Sequence, residues 1–257
     1  IPESLKDVGR QCGFIFYVPA AYTSKIDPET GFINAFNFNS ITNKKEFLMK
    51  FDEIKYDDER QMFKFSFDYN NFDTHKVTLP KTKWDVYTNG VRLNRKFSNG
   101  RFTSESEEIN LTKRLADAFN NKKIAYNDGH NLKIDIESMD ENEHLLSEIV
   151  SIFKYTVQMR NSLSEIEEEK INDEYDRLIS PVLNKDNVFF DSDTYKGKEE
   201  GPLPCNADAN GAYCIALKGL YEVMKIKENW TDEKFDRDVL KIRNEDWFDF
   251  IQNKRYM

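Results

Sequence analysis

A chain of 257 residues is long enough for one large domain or two ordinary ones, and its net charge of −9 argues against a free-standing nucleic-acid binder, which builds phosphate affinity from Lys and Arg. No apolar run approaches the roughly eighteen residues of a membrane helix, so the composition predicts a soluble protein. The 3 cysteines (Cys12, Cys205, Cys214), without a C-x-x-C pair and with only 3 histidines, exclude a zinc ribbon, make a disulfide framework improbable and fit a reducing cytoplasm.

The start, Ile1-Pro2-Glu3, has neither an initiator Met nor a signal-peptide pattern, and reads as the beginning of a piece of something longer. Phe14-Ile15-Phe16-Tyr17-Val18 is a continuous apolar run between Gly13 and Pro19, the signature of a buried strand. Asn43, followed by Glu46, starts a short helix that buries Phe47, Leu48, Phe51 and Ile54. Phe63, Phe65, Phe67 and Tyr69 alternate with polar residues as in a half-buried strand. Asn89-Gly90 and Asn99-Gly100 are tight-turn signals, so residues 61–104 are expected to form a small antiparallel meander.

That meander carries Lys76, Lys81, Lys83, Arg92, Arg95, Lys96 and Arg101, interleaved with Trp84, Tyr87 and Phe97 and opposed between Lys76 and Arg101 only by Asp85. Such a stretch either tracks a phosphate backbone or is a solvated hairpin with charged edges that discourage aggregation. Helices are expected near residues 112–121, burying Leu115, Ala118 and Phe119, and near 140–161, burying Leu145, Ile149, Ile152, Phe153, Thr156 and Val157. Arg160 falls in the last turn of the second, where it either satisfies terminal carbonyls and the helix dipole or projects into a cleft to hold a phosphate.

Residues 162–176 read as an acidic loop, and Leu178 to Val182 and Val188 to Phe190 as short strands about a turn at Lys185-Asp186-Asn187. From residue 208 a helix shows an apolar stripe of Ala212, Ile215, Ala216, Leu220, Val223 and Met224, with Asn210, Lys218, Glu222 and Lys225 opposite. Asp208 is in phase with that stripe, so its carboxylate is expected to face the interior. It is either the helix N-cap or a ligand for a hard divalent cation. A last helix, capped by Asn244, is expected to bury Trp247, Phe248 and Ile251.

Three stretches, taken in order, resemble one known family. They are Gly13-Phe14-Ile15-Phe16-Tyr17-Val18-Pro19-Ala20-Ala21-Tyr22-Thr23-Ser24-Lys25-Ile26-Asp27-Pro28, then Gln158-Met159-Arg160-Asn161-Ser162, then Ala207-Asp208-Ala209-Asn210-Gly211-Ala212-Tyr213. Together they are similar to the C-terminal part of the type V-A CRISPR effectors, which are RNA-guided DNA endonucleases. The resemblance implies an α+β chain in which a mixed Nuc insertion of helices and a small antiparallel sheet is flanked by incomplete segments of an RNase H-like RuvC domain. Residues 1–23 would end the middle RuvC segment, 24–205 would be the Nuc domain, and 206–257 the final RuvC segment.

On this resemblance Asp208 becomes a RuvC metal ligand for Mg²⁺, with Mn²⁺ as a substitute, and Arg160 the Nuc arginine near the nuclease cleft. Ser162 and Asp176 would lie beside that cleft, while Lys81, Lys83, Arg92 and Arg95 are candidate DNA contacts from the basic run alone. Many members have Asp where this chain has Asn206, and the acidic loop is longer than in several relatives. The partners implied are double- and single-stranded target DNA and a guide RNA bound by the rest of a monomeric effector in the bacterial cytoplasm. Two-metal hydrolysis needs more than one carboxylate, so this chain alone is expected to be inactive. Two alternatives remain: a non-catalytic module that only guides nucleic acid, and an unrelated acidic interaction domain.

Overall fold

The computed structural model describes residues 18–73, 78–98, 101–161, 177–195, 203–229, 238 and 241–253. The strand expected at 14–18 therefore lies outside the described residues except for Val18, and the acidic loop at 162–176 lies outside them entirely. The architecture is α+β, with helices packed on small antiparallel sheets.

Asn43 is extended and its side chain accepts the Glu46 backbone N–H at 3.0 Å, which starts α1 (Lys44–Met49) as expected. The helix ends earlier than its apolar spacing suggested. Phe51 lies beyond its end, and Ile54 enters a strand that the periodicity did not reveal, β1 (Glu53–Asp57). Both side chains are buried, but the backbone of β1 is committed to an antiparallel ladder with β2 (Met62–Asp68). In β2 the buried Phe63, Phe65 and Phe67 alternate with partly exposed neighbours, as the period of two required. β3 (Lys83–Tyr87) pairs with the other edge of β2 and completes a sheet of order β1-β2-β3.

The expected meander is in fact two sheets. Asn89-Gly90 does not close a hairpin, because β4 (Val91–Ser98) leaves β3 and pairs with β5 (Arg101–Asn110). Gly90 makes this corner at φ 81°, and a Cβ there would come within 2.8 Å of Ile179 Cδ1. The second turn signal fares better: Ser98 stands opposite Arg101, the register of a hairpin around positions 99 and 100, which themselves lie outside the described residues.

Asn110 caps α2 (Leu111–Asn121) by accepting the Lys113 N–H at 2.8 Å, and Leu111, Leu115 and Phe119 fill its inner face. After α3 (Lys133–Ser138), α4 (His144–Val157) drives Phe153 into a cluster of rings. Its centroid lies 4.8 Å from Phe51, 5.0 Å from Phe36 and 5.1 Å from Phe65. The first two contacts are edge-to-face, each adding about 0.5 to 1.5 kcal/mol beyond the area buried.

α4 was expected to run to residue 161. It stops at Val157 because Met159 adopts φ 62°, a left-handed conformation that ends a helix. Arg160 consequently belongs to a two-residue strand, β6 (Arg160–Asn161), paired with β7 (Arg177–Leu183), which also pairs with β8 (Phe189–Asp191). β7 and β8 are the strands expected on either side of the turn at 185–187, where Asn187 has φ 59°.

Two helices follow, α5 (Ala207–Asn229) and α6 (Asn244–Gln252). α6 buries Trp247, Phe248 and Ile251 as expected, and Phe250 as well, but Asn244 is its first helical residue and Arg243 holds the cap position without a side-chain bond. Between the N-terminal segment and α1, residues 26–34 form a buried loop. Ile26 bridges Ile33, Asp27 N donates to Phe32 O at 2.8 Å, and Asn34 N donates to Lys25 O at 2.9 Å. Tyr69 donates its hydroxyl to Ile33 O at 2.6 Å, tying this loop to the first sheet.

One surface feature responds to pH. The His130 ring is held between two carboxylates, Asp128 at Nδ1 and Asp135 Oδ2 at 2.7 Å from Nε2. Only the imidazolium can donate from both nitrogens. The hydrogen bond with Asp128, then that with Asp135, raises the His130 pKa above its ordinary 6.5. A raised folded-state value means that the stabilisation is complete below the free imidazole pKa and is lost as pH rises through the raised value. We expect a His130 NMR titration midpoint above 6.5, and backbone amides of residues 128–133 that exchange faster as pH is raised through that midpoint, beyond the intrinsic base catalysis of exchange. His130→Gln should remove the excess; an unshifted midpoint would refute the clamp.

Candidate functional site

Helix α5 begins with a cap, and the cap is not Asp208. The Asn206 side chain accepts the Ala209 N–H at 2.7 Å, so Asn206 takes the N-cap role and Asp208 falls in the first helical turn. Asp208 is exposed, and no hydrogen bond or ion pair engages its carboxylate among the described residues. An acid here complements the positive end of the helix dipole without being consumed by a backbone amide.

The helix is turned opposite to the expected orientation. Its inward face consists of Asn210, Cys214, Leu217, Lys218 and Glu222, whereas Ile215, Leu220 and Val223 are 40%, 42% and 44% exposed and Ala212 and Ala216 also face outward. The surface beneath it is mixed: it presents backbone carbonyls that need donors beside the rings of Trp247 and Phe250, against which Lys218 and Tyr221 pack. Asn210 Nδ2 donates to Ile26 O at 2.8 Å, and Lys218 Nζ donates to Pro19 O at 2.9 Å and Ala21 O at 2.7 Å. Burial pulls the Lys218 ammonium down to about 8, pushes the Cys214 thiol up to about 12, and raises Glu222 above the usual carboxylate range. Asp208 does run in phase with the apolar stripe and is exposed like most of it, whereas Met224, at the stripe's far end, packs against the core.

The other sequence candidates are spread over distinct places. Arg160 has its backbone in β6 opposite Leu178, with its side chain outside the described residues. Ser162 and Asp176 lie outside them altogether, as does the Arg95 side chain on β4. Lys81 and Lys83 are exposed and line a groove of about 520 Å³ with Trp84, Tyr87 and Arg60, the Lys81 ammonium sitting 3.7 Å from the centre of the Trp84 ring. Asp52 and Asp85 share the same groove, so its charge is mixed.

Arg92 must be removed from the set of DNA contacts. It is only 1% exposed and spends its guanidinium on Tyr155 O (3.2 Å), Thr156 O (3.4 Å), Asn89 O (3.2 Å) and Val91 O (3.0 Å). The first two acceptors are the last carbonyls of α4, and Asn34 Nδ2 takes the next, Val157 O, at 3.0 Å. The dipole-satisfying role considered for Arg160 thus belongs to Arg92 and Asn34, reached from distant parts of the sequence. Burial brings Arg92 down to about 9, which leaves it charged at neutral pH.

Sequence reasoning missed Asp27, Ser180, Asn34, Asn210 and Lys218 as buried polar joints. Asp27 and Asn34 did carry a signal, since polar residues inside an apolar stretch such as Ile26 to Phe36 must find partners if buried. Asp27 accepts the Glu29 and Thr30 amides at 2.9 and 3.2 Å and the Ser180 hydroxyl, while burial raises its pKa.

Among the described residues no group of three or more His, Cys, Asp or Glu side chains is gathered as a metal cradle. Asp208 offers exposed carboxylate oxygens on a rigid helical start, a donor suited to a hard cation as one ligand of several. The fold around β6 and β7 and the aromatic core beneath it lie within a stretch that also has a known counterpart. Residues 26–194 match the family model described as a nuclease domain (NUC), well over half of the chain, and the protein therefore belongs to that nuclease-domain family, with a nuclease-related role toward a nucleic-acid substrate.

Proposed function

We propose that this chain is the C-terminal part of a type V-A CRISPR-associated, RNA-guided DNA endonuclease. Residues 1–23 end a middle RuvC segment, 24–205 are its Nuc domain, and 206–257 form the final RuvC segment. The nuclease-domain match over 26–194 supports the Nuc assignment. The observation that carries the RuvC part is the start of α5: Asn206 does the capping, which leaves the Asp208 carboxylate uncommitted among the described residues, at one end of an outward apolar stripe. A metal ligand that meets its companions on a covering layer of the same effector requires that arrangement.

Asp208 holds one coordination position for Mg²⁺ or Mn²⁺. Such a cation, when bound, neutralises charge at the scissile phosphate and lowers the pKa of water. Arg160 holds the DNA backbone near that point through charge-assisted hydrogen bonds, with Ser162 and Asp176 beside it and Lys81, Lys83 and Arg95 along the approach. Guide RNA pairing selects the sequence, so these residues contact double- or single-stranded target DNA through its backbone. The effector acts as a monomer in the bacterial cytoplasm.

One carboxylate cannot hold the two cations, roughly 3.5 to 4 Å apart, of this hydrolysis. The 257-residue chain incubated with single-stranded DNA and Mg²⁺ or Mn²⁺ is therefore expected to leave it intact. Cutting that disappears in Asp208→Ala would show a complete site and overturn this reading. Burial of Arg92 favours a second reading for part of the chain, a scaffold whose polar residues cap and solvate rather than touch DNA.

A further inference from the structure

The buried loop at 26–34 leads, through its side-chain contacts, toward both Asp208 and Arg160. Asn210, two residues after Asp208, is itself buried and donates to Ile26 O at 2.8 Å. The next residue, Asp27, accepts the hydroxyl of Ser180 on β7, two residues beyond Leu178, which pairs with Arg160. Asn34 donates to Val157 O, the end of the helix whose last turn feeds into Arg160. These bonds span 184, 153 and 123 residues of sequence, so each joins elements that no local structure would hold together.

The two sides of the Asp27 carboxylate do different things. Its bonds to the Glu29 and Thr30 amides are local and stiffen the loop, whereas the Ser180 hydroxyl is the one side chain that ties it to β7. Ser180 also accepts the Val182 amide at 3.2 Å, and Asn89 donates to its carbonyl at 3.0 Å, which fixes that stretch of β7 in turn. On the opposite side, Lys218 adds two carbonyl contacts at Pro19 and Ala21, so α5 is fastened to the same segment at two levels.

We propose that this loop is the positioning element that fixes Arg160 relative to Asp208, with Asp27, Ser180 and Asn210 as positioning residues. The inference rests on the roles given to Arg160 and Asp208 under the proposed function. Asp208 lies two positions before Asn210, which bonds Ile26, and Arg160 pairs across the ladder with Leu178, two positions before Ser180, which bonds Asp27, so a single short, stiff segment sets the span between a phosphate-holding group and a metal-holding group. Displacements of about 1 Å at that span are enough to lower a rate by about a hundredfold.

The test reads distance and rate separately. Nitroxides are placed on the 257-residue chain at Gln158→Cys and Ala212→Cys, both exposed positions, with Cys12 and Cys205 changed to Ser, and the distance distribution is measured by pulsed electron resonance. A single narrow distribution is expected, broadened in Ser180→Ala and in Asn210→Ala and narrow again in Ser180→Thr, which keeps the hydroxyl. In the complete effector Ser180→Ala should lower kcat about 10- to 100-fold with little change in KM, and Ser180→Thr should restore it. A distribution unchanged in both alanine variants, or one that broadens while kcat stays at the parental value, overturns the proposal. Parental cleavage by Arg160→Ala overturns the underlying functional reading instead, and the distance result distinguishes the two failures.

Discussion

Asp208→Ala in the complete effector is expected to lower cleavage of target DNA by about a thousandfold or more, while the stability of the chain changes by less than about 1 kcal/mol. The two halves of that expectation come from different observations. The rate follows from the proposed metal role: losing one carboxylate from a cation site removes several kcal/mol of transition-state stabilisation, and about 4 kcal/mol corresponds to a thousandfold. The small stability effect follows from the cap, because Asn206 and not Asp208 accepts the Ala209 amide. What Asp208 gives the fold is its favourable position at the helix dipole, worth about 0.3 to 1 kcal/mol. Asn206→Ala should show the reverse balance, losing about 1 kcal/mol in chemical denaturation. If Asp208→Ala melts the protein by several kcal/mol, the residue is structural; if it cleaves normally, the metal assignment fails.

The parts of this fold that were legible in the sequence are those decided by local chemistry. Asn43 with Glu46 marked α1, the alternation of Phe63, Phe65 and Phe67 marked β2, and the Lys185-Asp186-Asn187 turn separated β7 from β8. The errors arose where a distant surface decided the outcome. A hydrophobic stripe was assumed to face its own chain, yet the neighbours of α5 include, beside the rings of Trp247 and Phe250, the carbonyls of Pro19, Ala21 and Ile26, which need donors, and Asn210 and Lys218 are the residues that donate. The end of α4 was hidden for another reason: no pattern before Arg160 announces that Met159 will take a positive φ. For the candidate site, the sequence placed Asp208 at the start of the right helix and weighed it as N-cap or metal ligand, whereas the cap is Asn206, two residues earlier, which was weighed only as a departure from a family pattern. Lys81 and Lys83 were correctly read as exposed. Arg92, in the same basic run, was not, since a cation on a strand looks alike whether it meets water or a helix end 63 residues away.

That misreading leads to the largest stability effect expected in the chain. Arg92→Met should destabilise the fold by about 2 to 4 kcal/mol, read as a lower denaturation midpoint at unchanged slope. Methionine roughly preserves the aliphatic volume but leaves the carbonyls of Asn89, Val91, Tyr155 and Thr156 without this donor. Each buried carbonyl that loses its partner costs about 1 to 3 kcal/mol. Against that stands relief of the desolvated guanidinium, which burial already pulls down to about 9, so the net loss falls well short of four full penalties. Arg92→Lys keeps the charge but not the planar fork that reaches several acceptors at once, and should fall between the two. The decisive comparison is with DNA binding by the folded Arg92→Met and Lys83→Ala proteins. If Arg92 only closes the end of α4, the salt dependence of binding is unchanged in Arg92→Met although a charge is removed, whereas loss of a phosphate-contacting lysine reduces the logarithmic salt slope by about one. An Arg92→Met protein as stable as the parent would mean that the four carbonyls find other donors, and the structural role assigned to this buried cation would be wrong.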